Sequence, residues 1–245
     1  MKYSFSILIL VISFLGCNEN SSTITPTLSG SIAGKSTLYT DDGQPLQDNN
    51  GIKISIDGSS YSTTSSFDGS WKLKGIPVGI YTIVFSKKGF ATLKQYSFQF
   101  VGGDTVTYVQ SKIGQIPNVT ITNLELIQQD VEKYTIQFSI SHADSLFRAG
   151  YIIYDKSPIS ASPTTSWSFG EYINIQPDSV FYSRKLEYID YYKTEYNLSS
   201  GAKLYLRVFL LPRGGYVESY NTFTRKNEIY DYGNALSQLD SLIVP

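Results

Sequence analysis

Short β-forming runs, each closed by a turn signal, leave this chain few folds to choose from. The densest example is residues 62–90, STTSSFDGSWKLKGIPVGIYTIVFSKKGF. It reads as strand, Asp-Gly turn, strand, Gly-Ile-Pro-Val-Gly connection, strand and Lys-Lys-Gly turn. Asp68-Gly69 between two such runs predicts a hairpin, because residues there must take positive φ. Upstream, Leu28–Ile32, Thr37–Thr40, the alternating Ile52, Ile54 and Ile56, and Tyr61–Ser66 add strands. Downstream come Thr92–Phe100 and Thr105–Gln110. About seven short strands with turn signals every 8–12 residues predict an antiparallel β-sandwich over 27–114.

Several of these residues also carry a family pattern. In order, Gly43-Gln44-Pro45-Leu46, Ile52-Lys53-Ile54, Thr63-Thr64, Asp68-Gly69-Ser70-Trp71, Gly75-Ile76-Pro77-Val78-Gly79-Ile80-Tyr81 and Gly89-Phe90 resemble the carboxypeptidase regulatory-like family. The resemblance implies a transthyretin-like sandwich. It also implies a non-catalytic module, of the kind attached to peptidases, transporters and adhesins, with Trp71 in the core.

A break at Ile116-Pro117 opens a second set of strands. Tyr134, Ile136, Phe138 and Ile140 alternate with polar residues, which predicts a half-buried strand. Tyr151–Tyr154 reads as a buried run. Ser157–Ser168 reads as a Pro/Ser loop, followed by Glu171–Ile175, Val180–Tyr188, Leu204–Leu211 and Tyr216–Phe223. Gly150-Tyr151-Ile152-Ile153-Tyr154 with Lys156-Ser157-Pro158 resembles the third strand and loop of the fibronectin type III-like fold. Ala202–Phe209, Gly214-Gly215 and Ser219-Tyr220-Asn221 resemble its last hairpin. The Trp usual in that fold's second strand is absent, which leaves Tyr134 or Phe138 to fill the space. The second domain is placed at 117–226. Residues 227–245 are assigned as a C-terminal tail, with a short helix over Ala235–Leu242 or an extra strand as the alternatives.

The chain begins with a targeting pattern. Lys2 precedes an apolar run from Phe5 to Leu15, too short for a transmembrane helix, which needs about 20 apolar residues. It ends at Phe14-Leu15-Gly16-Cys17, and Cys17 is the single cysteine. A small residue before a lone cysteine resembles the lipobox of bacterial lipoproteins, although Phe14 stands where Leu is usual. The expectation is a signal peptide over 1–16, an acylated (palmitate-bearing) Cys17 and a polar tether over 17–26. Acyl chains supply about 0.8 kcal/mol per buried CH₂ and hold such a chain on the bilayer. Asn18 stands where an inner-membrane retention signal has Asp, so the outer membrane is expected, on its periplasmic or cell-surface face. With no second cysteine an internal disulfide is excluded, and stability must come from the core.

The expected architecture is therefore all-β: two tandem antiparallel β-sandwiches after a lipoprotein signal peptide. Hydrophobic content of 41% supports such cores, and a net charge of −1 gives no electrostatic case for nucleic acid.

Residues that could do chemistry are few. A zinc site of the usual kind needs several His or Cys ligands, and the only histidine, His142, sits at a strand end beside Ala143-Asp144. No Gly-x-Ser-x-Gly elbow supports a catalytic triad. The turn aspartates Asp41, Asp42, Asp48, Asp57 and Asp68 are of the kind that bond their own backbone. Asp48-Asn49-Asn50-Gly51 begins like a calcium loop, but Ser59 stands where the closing carboxylate belongs. No enzyme activity, cofactor or metal is expected.

Aromatics supply the functional hint. Exposed rings serve sugar-binding surfaces and protein contacts. Trp167, in a stretch read as loop, and Tyr191 and Tyr192, in the polar cluster with Tyr188 and Tyr196, are the candidate ligand contacts. Four Asp-Ser/Thr-apolar sequences, at Thr105, Ser145, Ser179 and Ser241, resemble an acceptor motif for O-glycosylation of exported proteins. The function expected is a non-catalytic outer-membrane lipoprotein that binds a glycan or a protein through its β-sandwich loops. A fimbrial or assembly subunit pairing strand to strand, or an accessory of a nutrient importer, are the alternatives. A long uncharged edge strand would favour assembly, and an aromatic platform around Trp167 would favour binding.

Overall fold

Inward side chains at every second position build the first sandwich. β1 (Ser29–Tyr39) turns Ile32, Gly34, Ser36 and Leu38 inward and leaves Lys35 outside. It lies between β4 (Ser70–Pro77), antiparallel, and β7 (Gly103–Gly114), parallel. The facing sheet runs β3 (Ser62–Thr64), β2 (Lys53–Ile56), β5 (Gly79–Ser86), β6 (Leu93–Phe100). Ile32, Leu38, Ile54, Trp71, Ile83 and Phe85 fill the space between. The computed structural model describes residues 28–130, 133–161, 164–167, 169–186, 193–194, 197–230 and 236–244.

Asp68-Gly69 makes its turn, with Gly69 at φ 85. The Asp68 carboxylate accepts from Ser66 Oγ (2.6 Å), Ser70 Oγ (2.7 Å) and Ser70 N (3.0 Å). The Ser66 and Ser70 hydrogen bonds hold that carboxyl well below the usual range. The predicted hairpin does not follow, because β3 pairs with β2 and β4 pairs with β1. The turn carries the chain from one sheet to the other.

The second sandwich sets β13 (Phe181–Leu186), β9 (Lys133–Ile140) and β8 (Ile121–Asp130) against β12 (Phe169–Ile175), β10 (Arg148–Asp155), β14 (Lys203–Leu210) and β17 (Asp240–Ile243). This strand order is that of a fibronectin type III-like sandwich. Tyr134 and Phe138 both lie in its core.

Two expectations about the end of the chain are corrected. Tyr216–Phe223 does not pair with β14. That neighbour is β17, which lies in the stretch assigned as a tail and is the extra strand given as its alternative. Instead β15 (Glu218–Asn221) pairs with β16 (Lys226–Tyr230), which pairs with β11 (Thr164–Trp167). This third sheet covers the outer face of β10 and β14, burying Ile153 and Phe209 with Ile159, Val217 and Ile229. The reason is legible afterwards. Tyr151–Tyr154, and Leu204–Leu211 but for Arg207, are apolar on both faces, and a strand of that kind needs cover on both sides. The all-β expectation holds, with every named element a strand.

Candidate binding face

Two joints fix the sandwiches to each other. At the first, Arg148 is 2% exposed. It donates to Asp41 of the turn after β1 through Nη1 (2.7 Å) and Nη2 (3.0 Å), to Asp144 through Nε and Nη2, and to the Leu211 carbonyl (3.2 Å). Burial opposes charge on Arg148 and Asp144 alike, but their hydrogen bonds and mutual attraction outweigh it. Asp144 is held below the usual carboxylate range and Arg148 above its own. At the second joint Tyr96 of β6 donates to Glu228 of β16 (2.6 Å), and Tyr230 donates to the same carboxylate. Burial raises the Tyr96 phenol, and the bond to Glu228 raises it further, to about 12. Ser219 Oγ accepts from Lys94 N (2.8 Å), so the third sheet shields part of the open edge of β6.

The first joint brings a residue of the second sandwich onto the first. Tyr216 N donates to Lys112 O (2.9 Å), and Gly114 N donates to Tyr216 O (3.1 Å). Gly215, at φ 76, lets the backbone come this close: a Cβ there would lie 2.3 Å from Gly114 N. The Tyr216 ring, 57% exposed, then stands beside the outer face of the β4-β1-β7 sheet. With Lys35, Thr37, Gln110, Ser111 and Lys112 it lines an open cavity of about 270 Å³. The register puts Gln110 beside Lys35, Lys112 beside Thr37, and Tyr108 beside the small Ala33. Tyr108 is 60% exposed on this same face.

No acidic residue lines the cavity. Among the described residues neither Lys35 nor Lys112 forms an ion pair. Beneath the face the sheet is pinned. Trp71 Nε1 donates to Ser36 Oγ (3.0 Å), Ser111 Oγ donates to the same atom (2.7 Å), and a Cβ at Gly34 would meet the Trp71 ring at 2.5 Å. Trp71 is thus core, as the resemblance implies. The site offers flat rings, cations and amide and hydroxyl groups on a rigid support. It can bind but contains no nucleophile paired with a base.

The predicted contacts lie elsewhere. Trp167 is not on a loop. It ends β11, is 2% exposed, and packs on Phe209 at 5.1 Å between ring centroids. It is a core residue of the third sheet, so no platform forms around it. Tyr191 and Tyr192, like Tyr188, Tyr196 and Cys17, lie outside the described residues. His142 is exposed and pairs with Ser141 Oγ (3.1 Å). Asn49 is buried and accepts from Leu38 N (2.7 Å), so the Asp48–Gly51 stretch serves the fold. Among the described residues no group of three or more His, Cys, Asp or Glu is placed to hold a metal ion. Thr105 and Ser145 are exposed. Ser179 donates to Phe181 O (2.7 Å), and Ser241 is half-buried in β17. Sequence reasoning missed Tyr108, Lys112 and Tyr216. The alternation of Tyr108, Gln110 and Lys112 with Val109, Ser111 and Ile113 could have placed the first two outward. Nothing local tells that Tyr216 joins them.

No protein-family profile matches the sequence, and no curated protein matches it. Among solved structures, a chain of a type II cohesin–X-dockerin complex from Acetivibrio cellulolyticus is 14% identical, with a TM-score of 0.30. The likeness covers 36% of this chain and 58% of that one, so this chain spans little more than half of it. A Bacteroides uniformis protein described as a candidate carbohydrate-binding protein is 12% identical over 87% of this chain and 98% of that chain, with a TM-score of 0.33. A DUF3823 family protein from Bacteroides ovatus is 15% identical over 89% of this chain and 100% of that chain, with a TM-score of 0.29. At these scores the likenesses carry no functional argument.

Proposed function

We propose that the protein is a non-catalytic lipoprotein of the outer membrane, anchored at Cys17, that binds an acidic glycan on the outer face of the β4-β1-β7 sheet. One observation carries the reading: exposed Tyr216 and two lysines without ion pairs converge on an open cavity that no acidic side chain lines. A sugar ring stacks on the tyrosine, its hydroxyls meet Thr37 and Gln110, and its carboxylate or sulfate meets Lys35 and Lys112. Each good ring contact contributes about 1 kcal/mol, or roughly fivefold in affinity.

The test is calorimetric titration of the mature chain, carrying Cys17→Ser, with uronate-containing, sulfated and neutral oligosaccharides. Binding of acidic sugars should weaken at least fivefold in Tyr216→Ala and in Lys112→Gln, and stay unchanged in Tyr220→Ala, which is exposed on β15. Equal affinity for neutral sugars, or indifference to Tyr216→Ala, refutes the acidic-glycan reading.

Assembly by strand pairing has one observation in its favour. The stretch Thr105–Ser111 of β7 carries no charge, and among the described residues no strand covers its outer edge before Tyr216. Light scattering that finds only monomer over a wide concentration range removes self-assembly.

A further inference from the structure

The end of the first sandwich opposite the second carries an exposed apolar patch, flanked by the exposed Lys74 and Asp104. Leu28, Val78, Ile80 and Val101 are 56%, 42%, 64% and 75% exposed. They form one patch. Val78 N donates to Leu28 O (3.0 Å), and a Cβ on Gly102 would lie 2.8 Å from Val78 and 3.1 Å from Leu28. Gly79 pairs with Phe100 and Ile80 with Gln99, so Val78 and Val101 come opposite each other one step further on. Phe100 points into the core, which turns Ile80, Val78 and Val101 to the outside. Residues 75–80 and 98–103, which form this pole, contain no charged side chain.

A contiguous exposed patch of this kind on an otherwise polar domain marks a contact surface. Its place in the chain says what it meets. Leu28 is part of the patch, and Cys17 lies only eleven residues upstream. Ten intervening residues reach at most about 35 Å and average about 17 Å. A lipid on Cys17 would therefore hold this pole closer to the bilayer, on average, than the opposite pole of the sandwich.

We propose that the Leu28–Val78–Ile80–Val101 pole seats in the interfacial layer of the membrane. This orientation rests on the lipid-anchor reading. The missing charges fit it, since a buried lysine or carboxylate would resist such seating, and aliphatic side chains gain by leaving water. The C-terminal ends of β1 and β7 lead to the Arg148 joint at the other pole. Seating one pole therefore points the second sandwich away from the membrane and leaves the Tyr108–Tyr216 face open at the side.

The test places an environment-sensitive thiol dye at Val101→Cys in the full, lipidated chain, whose Cys17 is blocked by its own lipid. A control carries the dye at Tyr220→Cys. In vesicles of phosphatidylethanolamine and phosphatidylglycerol the Val101 dye should brighten severalfold and be quenched by brominated lipid, and the Tyr220 dye should do neither. An aqueous Val101 dye on vesicle-bound protein overturns the proposal. A chain that does not stay on vesicles through Cys17 instead removes the anchor reading. The pole is then tested by the Cys17→Ser chain on the same vesicles. Val78→Ser with Ile80→Ser should lower its weak partition roughly tenfold, and an equal partition overturns the proposal.

Discussion

Replacing Arg148 by methionine should loosen the two sandwiches from each other. The guanidinium is 2% exposed and makes five hydrogen bonds, two to Asp41, two to Asp144 and one to a carbonyl. Methionine keeps much of the volume but removes the cation that Asp41 and Asp144 share, leaving Asp144 only Arg213 at 3.4 Å. Breaking a buried pair by removing one partner costs about 3–5 kcal/mol. Asp41 and Asp144 side chains keep 16% and 14% exposure, so water can reach them and the lower end, about 3 kcal/mol, applies. With a urea slope of about 3 kcal/mol/M, the midpoint should fall by about 1 M. Arg148→Lys should recover little, because an ammonium cannot fork across two carboxylates. A double-mutant cycle with Asp41→Asn isolates the contact between sandwiches and should show at least about 1 kcal/mol of coupling. A midpoint within about 0.2 M of wild type for Arg148→Met would show that the joint contributes nothing net, and would refute the reasoning.

Trp167→Ala should cost about 3–5 kcal/mol of stability by opening a cavity against Phe209, while glycan titration below its melting point should match wild type. Acid should weaken both joints. Asp144 and Glu228 ionise in the folded chain below their ordinary values of 3.8 and 4.5. Their contribution is thus complete above those values and lost as pH falls through the folded ones. Melting temperature should fall as pH drops below about 5, and fall less in Asp144→Asn with Glu228→Gln. If the Asp-Ser/Thr sites are glycosylated, peptide mass spectra should find sugar at exposed Thr105 and Ser145 before half-buried Ser241. The reverse order would show that modification precedes folding.

Much of the strand content was legible because period-two alternation records which side chains face a core. Ile52, Ile54 and Ile56, and Tyr134 through Ile140, face inward as their spacing predicts. Pairing was less legible. Asp68-Gly69 specifies a turn, but a turn does not say whether its two arms share a sheet. That choice depends on which distant strand each arm meets, here β1 for one and β2 for the other. Trp167 shows the same limit. Its Ser- and Pro-rich surroundings have loop composition, and its burial came from Phe209 of β14, more than forty residues later.

By itself the sequence determined an all-β chain, its turns, most inward-facing residues and the uncharged character of 75–80 and 98–103. Each is set by a residue and its near neighbours. Only the tertiary structure decided that residues 218–230 and 164–167 would form a third sheet, that Arg148 would join Asp41, and that Tyr216 would stand beside Lys112. Those contacts join residues up to 107 positions apart, and nothing in local composition or periodicity encodes which of many compatible partners a folded chain brings within reach.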